Sequence, residues 1–244
     1  MKRKRSVTQA CGPKPGLLLR DMPKVGPKTL HFVDSNYNHT IAAGIRCTDY
    51  EEVSIIGEAA AGYYGVDSRI PLDSTHKGRQ GNRIRLKRVE VDVAFWIETI
   101  TAITGGTNET NHAQMKIFLV QDKCQTGGAL SAATKVFDIY SGTYAKSVFR
   151  TVEDRQRYNI LAEKNVDVAY TMDNATMYSK TAHARISYDC DIPIDFKDNS
   201  NGSLADMTHN NVYVVMVPTS WPELDGGNVI GRGTDVRSRT YFTT

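Results

Sequence analysis

Beyond residue 29, apolar side chains recur at every second position in short runs separated by clusters of Gly, Asn, Asp, Ser and Pro. A period of two is the signature of β-strands, and helical periodicity is nearly absent. Segment 182–192 shows it most cleanly. Ala184, Ile186, Tyr188, Cys190 and Ile192 share one phase and His183, Arg185, Ser187, Asp189 and Asp191 the other, which predicts a strand buried on one side. In 157–170, Tyr158, Ile160, Ala162, Val166, Val168 and Tyr170 share a phase that Lys164 interrupts, predicting one long strand bent or turned near Glu163 to Asn165. Segments 114–121 and 211–217 are apolar on both phases and are expected as interior strands covered on both sides.

Segments 29–34, 39–47, 84–98 and 235–243 complete a set of eight candidate strands. Long gaps separate them, at 48–83, 99–113, 122–156 and 193–210, and the third has room for a short helix from Ala129 to Phe137. The strand count and generous connections predict an all-β fold, a single eight-stranded jelly roll, that is, a two-sheet antiparallel β-sandwich. Two parts are expected: a disordered or extended basic N-terminal arm over 1–28 and a shell of strands over 29–244.

One segment breaks the simple alternation. Its odd positions run Arg83, Arg85, Lys87, then Val89, Val91, Val93, Phe95, Ile97, while Ile84 and Leu86 are apolar at even positions. The phase inverts between Leu86 and Val89, which predicts a β-bulge or a passage between packing environments. Three cations spaced two apart then project together from one face near a sheet edge, as a ladder suited to phosphates.

Charge sharpens this picture. The formal balance of the chain is +3, yet the first 28 residues hold Lys2, Arg3, Lys4, Arg5, Lys14, Arg20, Lys24 and Lys28 against the single acid Asp21, a local +7 that leaves -4 for everything after. The same stretch holds Pro13, Pro15, Pro23 and Pro27 and reads as an unpacked arm suited to a polyanion. A second basic cluster, Lys77, Arg79, Arg83, Arg85, Lys87 and Arg88, contains no acid. These fourteen cations are the candidate nucleic-acid contacts. Stacking for unpaired bases has to come from the body, because the arm has no aromatic residue, and Tyr37, Tyr63 and Tyr64 are candidates that serve equally as subunit contacts.

Signatures of catalysis are missing: there is no G-x-S-x-G, H-E-x-x-H, G-x-x-x-x-G-K-[ST] or G-x-G-x-x-G, and the six histidines are scattered, so no enzyme is expected. No cofactor or metal is implied. The run from Asp195 to Gly202 lacks the acid spacing of a calcium loop and reads as an Asx-rich turn, with calcium between assembled subunits left open. The four cysteines, Cys11, Cys47, Cys124 and Cys190, have no metal-ligand spacing and read as free thiols, with a disulfide left open. No stretch approaches the roughly 18 apolar residues of a membrane span. The opening residues do not read as a signal peptide, and no membrane partner is expected.

The segment Gln80-Gly81-Asn82-Arg83-Ile84-Arg85-Leu86-Lys87-Arg88-Val89-Glu90-Val91 after a Lys/Arg-rich arm resembles the capsid proteins of circular Rep-encoding single-stranded DNA viruses. Met115-Lys116-Ile117-Phe118-Leu119-Val120-Gln121-Asp122-Lys123 followed by Gln125-Thr126-Gly127-Gly128, Tyr158 to Lys164, and Asn211 to Val217 are similar to later strands of the same proteins. Size and the region from Arg83 to Asp122 look closest to geminivirus-like and genomovirus-like coat proteins. The arm departs from the denser arginine tracts of relatives. The resemblance implies a capsid subunit that self-assembles, in 60 or more copies, into an icosahedral virion shell around a single-stranded DNA genome. It also implies the arm as a nuclear localisation signal read by host nuclear import machinery, and hence passage through the host nucleus. The competing reading is a non-viral, lectin-like β-sandwich binding module with a basic tail.

Overall fold

The computed structural model describes residues 30–41, 51–57, 68–73, 78–97, 110–125, 136–138, 149–150, 156–173, 176–197, 201–220 and 232–244. The predicted arm, Lys77, Tyr63, Tyr64, Cys11, Cys47 and most of the helix expected at Ala129 to Phe137 lie outside them. The strands in chain order are β1 (His31–Ile41), β2 (Glu51–Ser54), β3 (Arg83–Ile97), β4 (Thr110–Asp122), β5 (Phe137–Asp138), β6 (Phe149–Arg150), β7 (Tyr158–Asp173), β8 (Thr176–Ser179), β9 (Ala182–Phe196), β10 (Met207–His209), β11 (Asn211–Ser220) and β12 (Arg232–Thr243). A 3₁₀ turn, Leu204–Asp206, precedes β10. No helix among the described residues is long and apolar enough to cross a membrane.

Two five-stranded sheets, ordered β1-β12-β3-β9-β10 and β2-β11-β4-β7-β8, hold almost all of these strands, and β5-β6 form a small separate ribbon. Every ladder between the described strands is antiparallel, and the pairings nest: β1 with β12, β2 with β11, β3 with β9, β4 with β7. First pairs with last and the innermost two with each other, as a long hairpin does when it wraps around a barrel axis. That strand order is the jelly roll. The expected fold is therefore present, with β8, β10 and the β5-β6 ribbon as additions.

Between the sheets lies the main core. Val89, Val91, Val93 and Phe95 of β3, Met115, Ile117 and Leu119 of β4, and Val212, Val214 and Met216 of β11 are all buried in it. A second cluster forms on the far side of the β2-β11-β4-β7 sheet, where Phe118, Val120, Tyr158, Tyr213, Val215 and Val217 are capped by Val136 and Phe137. The Phe118 and Phe137 rings sit 4.3 Å apart. This second cover is why β4 and β11 read as apolar on both phases. Each fully buried aliphatic or aromatic side chain here contributes about 1.5–3 kcal/mol from water exclusion.

Two bulges decide which face each side chain takes. In β3 the register slips between Leu86 and Arg88 against β9, and between Tyr241 and Phe242 against β12, so Lys87 is the extra residue and the phase inverts there as expected. In β7 the slip lies between Ile160 and Ala162, opposite Val120 and Leu119. Tyr158 and Ile160 therefore join the outer cluster while Ala162, Val166, Val168 and Tyr170 join the inner core. The single expected phase is thus split between two faces, and the irregularity sits at Leu161 rather than Glu163 to Asn165. An extra residue inverts every side chain beyond it.

The expectation of separate strands at 29–34 and 39–47 is also corrected. His39–Ile41 continue β1 in register with Thr234, Gly233 and Arg232 of β12, residues 42–47 lie outside the described ones, and the neighbour of β11 is Glu51–Ser54. Of the run expected as an Asx-rich turn, Asp195 and Phe196 instead end β9, 198–200 lie outside the described residues, and Asn201 makes an Asx contact. The Ser203 N–H donates to the Asn201 side chain, and the Ser203 hydroxyl meets Asp206 at 2.6 Å. Gly202 there has φ of +76°, and an added Cβ would fall 2.1 Å from the Ile70 carbonyl oxygen. Gly202→Ala therefore meets both a left-handed backbone and a backbone clash, and is expected to cost more than about 1 kcal/mol, read as a lower thermal midpoint.

Candidate nucleic-acid interface

The outward face of β1, β12, β3 and β9 is a lattice of opposite charges fixed by strand register. Phe32, Tyr241, Arg88 and Asp189 stand in one row; Asp34, Arg239, Glu90 and Ser187 in the next; Arg237, Asp92 and Arg185 in the third. Arg239 meets Asp34 at 2.7 Å and lies over the Phe32 ring at 4.9 Å. Arg237 reaches Asp235 at 3.2 Å, and Arg185 approaches Glu90 at 3.9 Å. Cross-strand pairs of opposite sign stabilise a sheet modestly, by roughly 0.2–1 kcal/mol each.

The expected ladder is here, and it does not stand alone. Arg83, Arg85 and Lys87 do project from one face, and β9 supplies carboxylates opposite them. Arg83 makes a forked pair with Asp195 at 2.5 and 3.1 Å. Asp191 takes Arg85 on one oxygen and Lys87 on the other, both at 2.5 Å. Arg88 holds Glu90 at 2.7 Å and approaches Asp189 at 3.9 Å. Over this described face, the cations Arg83, Arg85, Lys87, Arg88, Arg185, Arg237 and Arg239 are matched by Asp34, Glu90, Asp92, Asp189, Asp191, Asp195 and Asp235, so its formal charge cancels.

Arg79 is corrected outright. It is fully buried, its Nε donating to the Ile70 carbonyl and its Nη1 to the Gly81 carbonyl and the Asn82 side chain, with the guanidinium 4.7 Å over the Phe196 ring. Such a cation ties the 68–73 segment to the start of β3 and the end of β9, and no phosphate can reach it. Tyr37 likewise packs against the inner core and is no exposed platform.

The arm itself, with Lys2, Arg3, Lys4, Arg5, Lys14, Arg20, Lys24 and Lys28, lies outside the described residues, but its point of attachment is fixed. Leu30 lies beside Lys87, Arg88 and Tyr241, so the chain from the arm enters the body against the ladder. Sequence reasoning placed Asp189 and Asp191 on the polar phase of segment 182–192 but missed that they, with Asp195, pair with the ladder. It also missed Phe32, Tyr241 and the three arginines Arg185, Arg237 and Arg239.

Elsewhere the chemistry is structural. Arg157 makes a forked pair with buried Asp122 at 2.9 and 2.8 Å, joining the ends of β4 and β7. The hydrogen bond to Asp122 raises the Arg157 pKa. Burial pushes the Cys190 thiol up to about 11. Cys124 and Cys190 are free thiols. Among the described residues, no three His, Cys, Asp or Glu side chains converge as a metal site.

No family model matches the chain, and no curated protein does. Among solved structures, the chain is similar to the Penaeus stylirostris densovirus capsid at 11% identity and TM-score 0.34, over 95% of this chain and 87% of that one. It is similar to the BFDV capsid protein in its 60-mer at 8% identity and TM-score 0.26, over 89% and 95%. Cocksfoot mottle virus gives 10% identity and TM-score 0.23, over 97% and 95%. The jelly roll assigned above rests on the strand order of this chain itself.

Asp191 is the group to perturb. The hydrogen bond from Lys87, with the nearby Arg85 charge, holds its carboxyl below the ordinary carboxylate range. A depressed pKa means the pairing is complete above the unfolded value and is lost as pH falls through the folded one. Asp191→Asn frees Arg85 and Lys87 at neutral pH. If the ladder meets single-stranded DNA, the log-affinity slope against log salt should steepen by roughly 0.7 for each freed cation that takes a phosphate. An unchanged slope in a filter-binding titration would remove the ladder from the interface.

Proposed function

We propose that this chain is a viral capsid subunit that assembles with itself into a closed icosahedral shell and packages single-stranded DNA through its basic N-terminal arm. The observation that carries the reading is the separation of charge. A leader of +7 joins a body of -4 at Leu30, on a sheet face whose own ions cancel. Polyanion attraction thus belongs to the arm, and the paired ladder contributes only where phosphates displace carboxylates. Support for the shell comes from the rigid jelly roll and from the sequence resemblance of the β3, β4, β7 and β11 segments to capsid proteins of circular single-stranded DNA viruses. The role is structural and not enzymatic. The Lys2 to Arg5 run serves in addition as the nuclear import signal, which gives the protein two locations, host nucleus and virion.

Charge sets the scale. Sixty arms bring roughly 420 net positive charges against one negative charge per nucleotide of single strand. A longer genome needs mobile counterions as well, so packaging is strongly salt-dependent and, through the arm, blind to sequence.

Purified full-length protein should elute as megadalton particles, or form them on lowering the salt, with uniform shells by negative stain. A clean monomer under every condition would favour the lectin-like module. Deleting residues 2–28 should abolish DNA retention while the circular dichroism of the strands is kept, and undiminished DNA binding would refute the arm's role.

A further inference from the structure

Just where the arm joins the body, the ion-paired face opens into a pocket of about 450 Å³ lined by Leu30, Lys87, Arg88, Glu90, Asp189 and Tyr241. Its composition differs from the rest of the lattice. Leu30 is 56% exposed, one of two exposed large hydrophobic residues among those described, and it shares the pocket lining with the half-buried Tyr241. The pocket therefore has two lining residues with apolar surface. Lys87 and Arg88, adjacent in β3, line it as well. Glu90 and Asp189 supply carboxylate oxygens, with the Tyr241 hydroxyl 3.5 Å from Glu90 and the Asp189 side chain 82% exposed. Two cations face two carboxylates, so the pocket has no formal charge to offer a bare phosphate.

A ligand suited to it is flat and apolar on its faces, has hydrogen-bond donors along one edge, and is linked to an anion. We propose that this pocket receives one unpaired, amino-bearing nucleobase of a single strand. The base stacks on Tyr241 and Leu30, its exocyclic amine donates to Asp189 or Glu90, and its phosphate lies toward Lys87 and Arg88. This deepens the packaging reading and rests on it. Cytosine and adenine present an amine where thymine and uracil present a carbonyl, and a carbonyl against carboxylates is repelled. The pocket thus adds a preference of base to an arm that has none, and because its charge cancels, that preference is nearly free of salt dependence. A duplex has no unpaired base to offer.

The test uses full-length protein and short homopolymeric oligonucleotides by fluorescence anisotropy. Wild type should prefer oligo-deoxycytidine to oligo-thymidine. Tyr241→Ala should weaken oligo-deoxycytidine about tenfold with its salt slope unchanged, while Tyr241→Phe retains binding. Asp189→Asn, at an exposed position that folding tolerates, should erase the preference without weakening oligo-thymidine. Ultraviolet cross-linking should place the base on the peptide containing Tyr241. Equal affinity for both oligomers in wild type, or an unaffected Tyr241→Ala, would overturn the pocket, and loss of binding on arm deletion would then leave packaging standing. Tighter binding of oligo-cytidine made of RNA would keep the pocket and overturn DNA as the cargo. Failure of the full chain to bind any oligomer would overturn both.

Discussion

Pairing between β3 and β9 is the constraint on which the surface of this protein depends. It joins two strands separated by about a hundred residues and places each cation of the first beside a carboxylate of the second, Arg83 with Asp195, Arg85 and Lys87 with Asp191. The same ladder aligns Val91 with Ile186 and Val93 with Ala184 on the inner face. One register therefore fixes core packing within and ion pairing without. A slip of one residue would reverse both, exposing valines and burying charges, which is a penalty of several kcal/mol at each buried ion.

The bulge at Lys87 makes that dual role workable. Before it, odd residues face water; after it, odd residues face the core. Without the extra residue, Arg83 and Arg85 would share a face with Val89 to Phe95. With it, four consecutive strands keep an unbroken apolar interior, and the cations and Tyr241 gather beside the place where the basic leader begins.

How much of this was legible depended on whether the signal was local. The inversion between Leu86 and Val89 was visible because charge and apolarity exchange phases within a few residues. The bulge at Leu161 was invisible, because both sides of β7 are covered there and Ile160, Leu161 and Ala162 are apolar in either register. The β2 strand was missed because Glu51, a charged residue that reads as loop, is buried in it. At the interface, Arg83 to Arg88 were readable as a ladder, and Asp189 and Asp191 as a polar face. Their meeting was not, since no sequence pattern states which strands become neighbours. Arg79 counted as a surface cation for the same reason: its burial depends on carbonyls of Ile70 and Gly81 that only the fold assembles.

The second apolar cluster, beneath Val136 and Phe137, gives the sandwich unlike sides. One broad surface is ionic and adjoins Leu30; on the opposite one the described residues Val136 and Phe137 cover an apolar cluster. The two faces of the sandwich thus differ in chemistry within a single chain. In the shell proposed above, a copy turned inside out would point its basic leader away from the cargo, so the two unlike faces bear on which way each copy must sit.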